Sequence, residues 1–152
     1  MYTVSKAIVV ALAVAAGTMA LSASASPNLT TSEATVASVA AQAPIAGGDF
    51  VKKKKRIRGA WQIEARADGN FIVFNDEFRT SNGPDLKVFL SPTSISDVTG
   101  KTAVNGSVLV GVLKSNKGGQ EYRIPAGVNL DDFESVLIHC EEFAVLWGGA
   151  DL

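Results

Sequence analysis

Ser135-Val-Leu-Ile-His-Cys-Glu-Glu-Phe-Ala-Val-Leu-Trp147 is the most strand-like stretch of this 152-residue chain. Two runs of β-branched, aliphatic and aromatic residues, 135–140 and 144–147, flank a short polar break at Glu141-Glu142. Residues of these types are enriched in strands, and short polar breaks separate neighbouring strands. The stretch therefore predicts two consecutive strands near the end of the chain.

The alternation of side chains along the first of these strands predicts what each face carries. Successive side chains of a strand point to opposite faces, so Val136, Ile138 and Cys140 are expected on one inward-facing side. His139, the chain's one histidine, is expected on the other side as a half-exposed residue.

The rest of the C-terminal two-thirds also reads as short strands separated by turns. Asp68-Gly69 readily adopts the positive φ of a hairpin turn. Residues 116–119, Asn-Lys-Gly-Gly, are a predicted turn between the strands at 108–113 and 120–124. No run of helical period appears after residue 49. An all-β fold, a small antiparallel β-sandwich or open barrel, follows. The further predicted strands are 56–65, 71–74, 86–90, 108–113 and 120–124.

The first 25 residues have the pattern of an export signal. Lys6 precedes an uncharged apolar run at 7–21, and Ala23-Ser24-Ala25 is a small-x-small cleavage site. The run is short for a bilayer span, which needs about 20 apolar residues. Residues 1–25 are therefore predicted to be a cleaved signal peptide that directs the protein to the periplasm or the extracellular space. No transmembrane segment is expected after cleavage.

Residues 26–48 are predicted to be a disordered linker. They are mostly small, with no aromatic residue, and cannot bury enough apolar surface to offset chain entropy. A weak helix at 32–42 is the one local alternative. The folded domain is accordingly placed at residues 49–152.

The charge balance excludes one class of protein. The chain has 14 basic and 15 acidic residues, and signal removal takes away one basic residue, Lys6. The mature protein is then slightly acidic, whereas a dedicated nucleic-acid binder is strongly basic. A local basic run, residues 52–58, favours either docking to an acidic partner through Lys53, Lys55 and Arg56, or a solvated edge strand whose lysines prevent aggregation.

Cys140 is the most informative residue for function, because exported proteins usually pair their cysteines. A single cysteine is a buried inert thiol, an intermolecular link, a metal or haem ligand, or a redox centre. Burial and the adjacent carboxylates of Glu141 and Glu142 disfavour a thiolate. Activation of this thiol would need an arginine or lysine from another strand.

Motifs for other chemistry are missing from the sequence. One histidine beside one cysteine is too few ligands for structural zinc, which takes four, and no metal site is predicted. A haem axial ligand remains an alternative. Without a nucleophile elbow, P-loop or dinucleotide fingerprint, the domain is not expected to be a stand-alone enzyme.

Two segments together resemble a known family. Residues 83–91 have the pattern G-P-D-L-x-V-x-L-S, and residues 135–148 have the pattern S-V-x-I-x-C-x-x-F-x-V-x-x-G. Between them lie 109–114, Leu-Val-Gly-Val-Leu-Lys, and 119–125, Gly-Gln-Glu-Tyr-Arg-Ile-Pro. In this order the segments resemble the DM-thirteen domain, an electron-transfer domain, over about residues 49–152.

The resemblance implies an all-β domain of extracellular and periplasmic proteins. The family's single cysteine, taken as its redox-active residue, corresponds to Cys140, and its motif aspartate corresponds to Asp85. His139 stands where family members more often have an aromatic residue. The family often accompanies DOMON domains, which bind haem or sugars. Here the electron donor or acceptor is expected to be another exported or membrane-associated protein.

Three functional hypotheses follow from the residues and the resemblance. The first is thiol-based redox or electron transfer at Cys140 without a bound cofactor, where Asp85 orients the site or locks its turn. The second is a non-catalytic protein-binding or adhesion module, in which Lys53 and Lys55 dock a partner and Cys140 is a core residue. The third is a haem- or copper-binding electron carrier, in which His139 is a further candidate residue.

Overall fold

A computed structural model describes residues 43–152, which form two antiparallel sheets packed face to face. The predicted β-sandwich is confirmed, and the sheets do not close into a barrel. In this part of the chain no helix is long and apolar enough to cross a membrane. The strands are β1 (Ala46–Asp49), β2 (Val51–Lys52), β3 (Ile57–Arg58), β4 (Ala60–Arg66), β5 (Gly69–Phe74), β6 (Arg79–Thr80), β7 (Leu86–Ser91), β8 (Val108–Val112), β9 (Gln120–Arg123), β10 (Ser135–Cys140) and β11 (Val145–Asp151).

The strand order places β10 in the middle of the larger sheet. One sheet runs β1-β4-β5-β9, the other runs β2-β11-β10-β7-β8, and β3 pairs with β6 in a small ribbon. A single 3-10 turn at Leu130–Asp132 precedes β10. All six residues of β10 pair with β7 on one side and with β11 on the other. The stretch that looked most strand-like in the sequence is therefore the central strand of its sheet.

The start of the folded domain corrects the predicted linker boundary. Strand β1 begins at Ala46 and pairs with β4, from Ala46 opposite Ile63 to Asp49 opposite Ala60. Residues 46–48 are thus part of a sheet rather than linker. The predicted signal peptide at 1–25, the linker before residue 43 and the weak helix at 32–42 lie outside the described residues.

The predicted strand at 56–65 is two strands. Gly59 has φ +103°, in the region that L-residues rarely adopt, and it ends β3 before β4 begins. As a result β3 joins the small ribbon while β4 joins the main sheet. The hairpin predicted at Asp68-Gly69 is confirmed, because β4 pairs with β5 from Trp61 opposite Phe74 to Arg66 opposite Gly69.

The predicted turn at residues 116–119 joins two strands that belong to different sheets. Strand β8 pairs with β7, and β9 pairs with β5, so the segment between β8 and β9 crosses from one sheet to the other. Turn residues specify a change of direction, but they do not specify which strand the chain meets afterwards. That choice depends on tertiary packing.

The main core fills the space between the two sheets. It is built from inward-facing residues of both sheets, among them Trp61, Ile63, Ile72, Phe74, Val88, Leu90, Val136, Ile138 and Cys140. Cys140 lies on the inward face, as predicted.

A second, smaller core covers the outer face of the larger sheet. Residues 92–107 fold back over it and bury Ile95, Val98 and Ala103 against Phe89, Leu137 and Leu146. Two hydrogen bonds fasten this covering segment: Ile95 N to the Asp151 carboxylate at 2.6 Å, and Ser135 Oγ to Thr93 O at 2.7 Å. Strand β10 is consequently buried on both faces.

Gly59 and Gly118, which both have positive φ, provide a matched test of the β3–β4 break. A Cβ at Gly59 would lie 2.6 Å from Phe78 Cα, whereas a Cβ at Gly118 (φ +83°) would meet nothing within 4 Å. Gly59→Ala is therefore expected to cost about 2 kcal/mol or more, from backbone strain plus a clash. Gly118→Ala should cost about 1 kcal/mol, from strain alone. Urea unfolding of both variants measures the difference, and equal costs would contradict this account of the break.

Candidate functional site

Cys140 ends β10 and is completely buried. Its exposed fraction is 0%, and its strand partners are Leu86 on β7 and Val145 on β11. The thiol Sγ donates a hydrogen bond to the carbonyl oxygen of Pro84 at 3.0 Å. It is a free thiol, with no disulfide.

A single turn separates the sulfur from solvent. We call residues 83–85, Gly-Pro-Asp, the thiol cover. Pro84 and Asp85 are exposed, yet the Pro84 carbonyl contacts Sγ directly. Asp85 adopts φ +48°, and its carbonyl accepts a hydrogen bond from Glu141 N at 3.3 Å. The sulfur therefore lies one peptide layer below the surface.

Trp147 supports the thiol cover from the side. A Cβ added at Gly83 would lie 2.5 Å from Cζ2 of the indole, so only glycine allows the turn to approach the ring this closely. The indole Nε1 donates to Ser81 O at 3.1 Å. Lys55 Nζ lies 5.6 Å from the centroid of the same ring, within cation–π range.

An ion-pair cluster fastens the thiol cover to the end of β10. Lys87 Nζ lies 3.2 Å from Asp85 Oδ1 and also pairs with the Glu141 carboxylate. The hydrogen bonds to Glu141 and then to Asp85 raise the pKa of Lys87. In the β7–β10 register Lys87 is opposite His139, so its side chain leaves the sheet on the face away from Cys140. Lys87 therefore holds the turn and does not activate the thiol.

His139 corrects one prediction. It was expected to be half exposed, but its exposed fraction is 1%, because residues 92–107 cover this face of the sheet. Among the described residues Nδ1 has no hydrogen-bond partner, and the ring lies edge-on to Phe89 at 6.1 Å. Burial lowers the pKa of His139, and Lys87 adds to this shift, while Glu141 and the Val145 backbone oppose it.

The structure separates His139 from Cys140 as possible ligands. They are adjacent in sequence, but their side chains leave β10 on opposite faces of the sheet. Within residues 43–152 no three His, Cys, Asp or Glu side chains cluster in a way that could hold a metal ion. The placement of these side chains does not assemble a donor set for copper or for two-point haem ligation.

The basic run divides into three local environments. Lys53 Nζ donates to Ser96 O at 3.1 Å, and Lys55 lies over Trp147. Arg56 lines an open groove beside β3 and β6. Residues 51–52 form edge strand β2, and the backbone amides of residues 53–55 bond to carbonyls of β11. The predicted edge strand is therefore present, but it is only two residues long.

Sequence reasoning missed the residues that surround these candidates. Pro84 and Trp147 contact the thiol or its cover, while Arg58 and Arg79 line the groove with Arg56. Trp147 stood in the quoted strand, but nothing in the chain predicted its contact with residue 83. These contacts join positions between 21 (Arg58 and Arg79) and 64 (Gly83 and Trp147) residues apart, a separation at which local patterns carry no information.

This part of the chain is thus a small antiparallel β-sandwich with one free, buried thiol beneath a Gly-Pro-Asp turn. The family model described as "Electron transfer DM13" matches residues 49–152, more than half of the chain, and the chain belongs to that family. The match confirms the resemblance seen in the sequence and supports a general role in electron transfer. No curated protein and no solved structure gives a significant match.

Replacement of the thiol tests its place in the core. Cys140→Ser puts a hydroxyl into an apolar site and should lower the free energy of unfolding by about 1–3 kcal/mol, at the low end if the hydroxyl also bonds to Pro84 O. Thermal or urea unfolding measures the change, with Ser96→Ala on the exposed covering segment as a control. An unchanged stability of Cys140→Ser would place the thiol near the surface.

The buried imidazole predicts a pH dependence of stability. The pKa of His139 is lower in the folded state than the value of about 6.5 expected in the unfolded chain. As the pH falls through 6.5, the unfolded state binds the proton before the folded state does. The free energy of unfolding is therefore at its full value above pH 6.5 and decreases below it. The loss is about 1.4 kcal/mol for each unit of pKa difference.

Replacement of His139 by a residue that does not titrate isolates its contribution to the pH dependence of stability. His139→Leu should flatten the stability profile between pH 7.5 and pH 5, as measured by urea unfolding at each pH. Carboxylates titrate lower and remain in both proteins, so the difference between the two profiles reports His139. Superimposable slopes would show that His139 does not carry the effect.

Proposed function

We propose that this protein is an exported electron-transfer domain whose redox group is the Cys140 thiol. The observation that carries the proposal is the hydrogen bond from Sγ to Pro84 O. It joins in space the two segments, 83–91 and 135–148, on which the family resemblance rests. Full burial in this closed state protects the thiol from indiscriminate oxidation, because oxidation requires exposure and thiolate character.

The proposed chemistry is thiol–disulfide exchange with a partner protein. Once uncovered and deprotonated, Cys140 attacks one sulfur of the partner's disulfide. That S–S bond breaks, a bond between Cys140 and the partner forms, and the other partner sulfur leaves as a thiolate that takes up a proton. A thiol of a second protein then attacks the Cys140 sulfur, so that the first partner leaves with both of its sulfurs reduced. Another thiol of the second protein breaks the new mixed disulfide, which releases Cys140 and closes a disulfide within the second protein. Two electrons have passed from the second protein to the first, without a bound cofactor.

Access to the thiol requires the thiol cover to open. Surface ion pairs are weak and screened by salt, so the ion pairs of Lys87 with Asp85 and Glu141 add little to the free energy needed to open the thiol cover. The Asp85 carboxylate points to Lys87, which favours the turn-locking role over an orienting role at sulfur. The partner is another exported or membrane-associated protein, consistent with the predicted signal peptide.

A second candidate function is a non-catalytic binding module. The observation that favours it is the complete burial of Cys140 within the apolar core. In this case charge reversal at Lys53 and Lys55 abolishes binding of the physiological partner, and Cys140→Ala leaves binding intact. Under the electron-transfer proposal, Cys140→Ala abolishes transfer.

The rate of thiol labelling decides between the two functions. The native protein is treated with a maleimide, with and without prior exposure to peroxide, and labelling is followed by mass spectrometry. Local opening predicts that Cys140 reacts faster than global unfolding allows and that peroxide blocks the reaction. Lys87→Gln should accelerate labelling several-fold because the cover loses its fastening, whereas Lys101→Gln, in an exposed turn, should not. Labelling only at the global unfolding rate in all three proteins would leave the binding module as the function.

A further inference from the structure

A groove lined by three arginines lies beside the small β3–β6 ribbon. It has a volume of about 390 Å³ and is formed by Arg56, Ile57, Arg58, Arg79, Thr80 and Ser81. We call it the arginine groove. None of these six residues is acidic. The groove is therefore a local positive site on a chain whose formal net charge is −1.

The pairing of the ribbon sets like charges against one another. Arg58 is directly opposite Arg79 in the β3–β6 register, and Arg79 forms a further antiparallel bridge with Lys117. All three side chains are exposed, and across the described range none lies within ion-pair distance of a carboxylate. Like charges directly opposite each other in a sheet are destabilising. A bound anion would relieve this repulsion.

The Arg79 side chain is held in place by the backbone. Its Nη1 donates to Asp76 O at 2.9 Å and to Phe78 O at 2.6 Å, which leaves the other guanidinium nitrogens free for a ligand. A planar guanidinium with a fixed orientation suits bidentate recognition of a carboxylate. The adjoining depression, which shares Arg58 and Arg79, contains Asp49, Asp76 and Glu77. These carboxylates would confine an anionic ligand to the groove side of the arginines.

The arginine groove is continuous with the structure that covers the thiol. Ser81, on the groove wall, donates its N–H to Arg56 O at 3.0 Å and accepts the Trp147 indole N–H. Trp147 in turn packs on Gly83, the first residue of the thiol cover. A ligand that contacts Ser81 is therefore two residues along the chain from the turn that buries Cys140.

We propose that the arginine groove is the docking site for a short acidic segment of the redox partner. The guanidinium of Arg79 is held by the backbone, Arg58 lies opposite it, and both match side-chain carboxylates. Charges farther away than about 8 Å are largely screened at physiological salt, so the arginines of the groove dominate the attraction of a short acidic segment. The groove is also concave and small, unlike a flat membrane-binding face. The role of docking rests on the proposed function, but the binding itself can be tested alone.

The test is binding of a fluorescently labelled hexaglutamate peptide, measured by anisotropy at low and physiological salt. The groove variant is Arg58→Gln with Arg79→Gln. The control, Lys101→Gln with Arg123→Gln, removes the same charge from positions outside the groove. Loss of even one charge-assisted contact is expected to weaken binding about tenfold in the groove variant, with less than about threefold change in the control. The melting temperature of the groove variant should change little, because removal of the like-charge pair offsets the loss of the two hydrogen bonds from Arg79 to the backbone.

Several results would overturn the docking proposal. The first is that the wild-type protein does not bind the peptide, and the second is that peptide binding weakens equally in the groove variant and in the control. The third is that the protein binds sulfated polysaccharide or phosphatidylserine vesicles more tightly than the peptide and that the groove variant loses this binding. Peptide binding is also measured on Cys140→Ala, which should bind as tightly as wild type. Normal binding together with unreactive Cys140 would refute the redox function alone. Reactive Cys140 without groove-dependent binding would refute the docking site alone.

Discussion

The burial of β10 on both faces is the constraint on which the rest of the structure depends. A strand that pairs with β7 and β11 on its two sides has its backbone groups satisfied within the sheet, apart from a bulge against β11 between Ile138 and His139, so its side chains can be apolar on either side. The inward face then needs a second sheet, and the outer face needs the covering segment at 92–107. His139 and Cys140, neighbours in sequence, are separated by the sheet and belong to different cores.

The position of the thiol combines protection with proximity to the surface. The apolar core and the turn at Pro84 keep the Cys140 sulfur out of water. The same carbonyl belongs to an exposed turn that is fastened by weak surface ion pairs. Low-stability elements of this kind are where local opening occurs in folded proteins. Under the proposed function, this turn is where a partner would reach the thiol, and the arginine groove is linked to it through Ser81 and Trp147.

Much of the fold was predictable because local sequence patterns predict most of its strands and turns. Apolar runs between turn residues located β4, β5, β7 and β10, alternation placed Cys140 inward, and Asp68-Gly69 located a hairpin. The corrections have physical causes: β1 extends the sheet to Ala46, Gly59 breaks an alternating run, and the covering segment buries His139. The sequence also did not show that the turn at 116–119 carries the chain between sheets. The covering segment has its apolar residues spaced irregularly, at Ile95, Val98 and Ala103, so no period identified it.

The sequence by itself determined the fold class, the family and the single cysteine on an inward strand face, since composition, period-two alternation and ordered motifs are local properties of a chain. Tertiary structure decided the surroundings of that cysteine. Pro84 covers the sulfur, Trp147 supports the turn, and Arg58 meets Arg79 across a ribbon only because strand order and register bring distant segments together. Register and sheet order minimise the energy of the whole core, so no local segment encodes them alone.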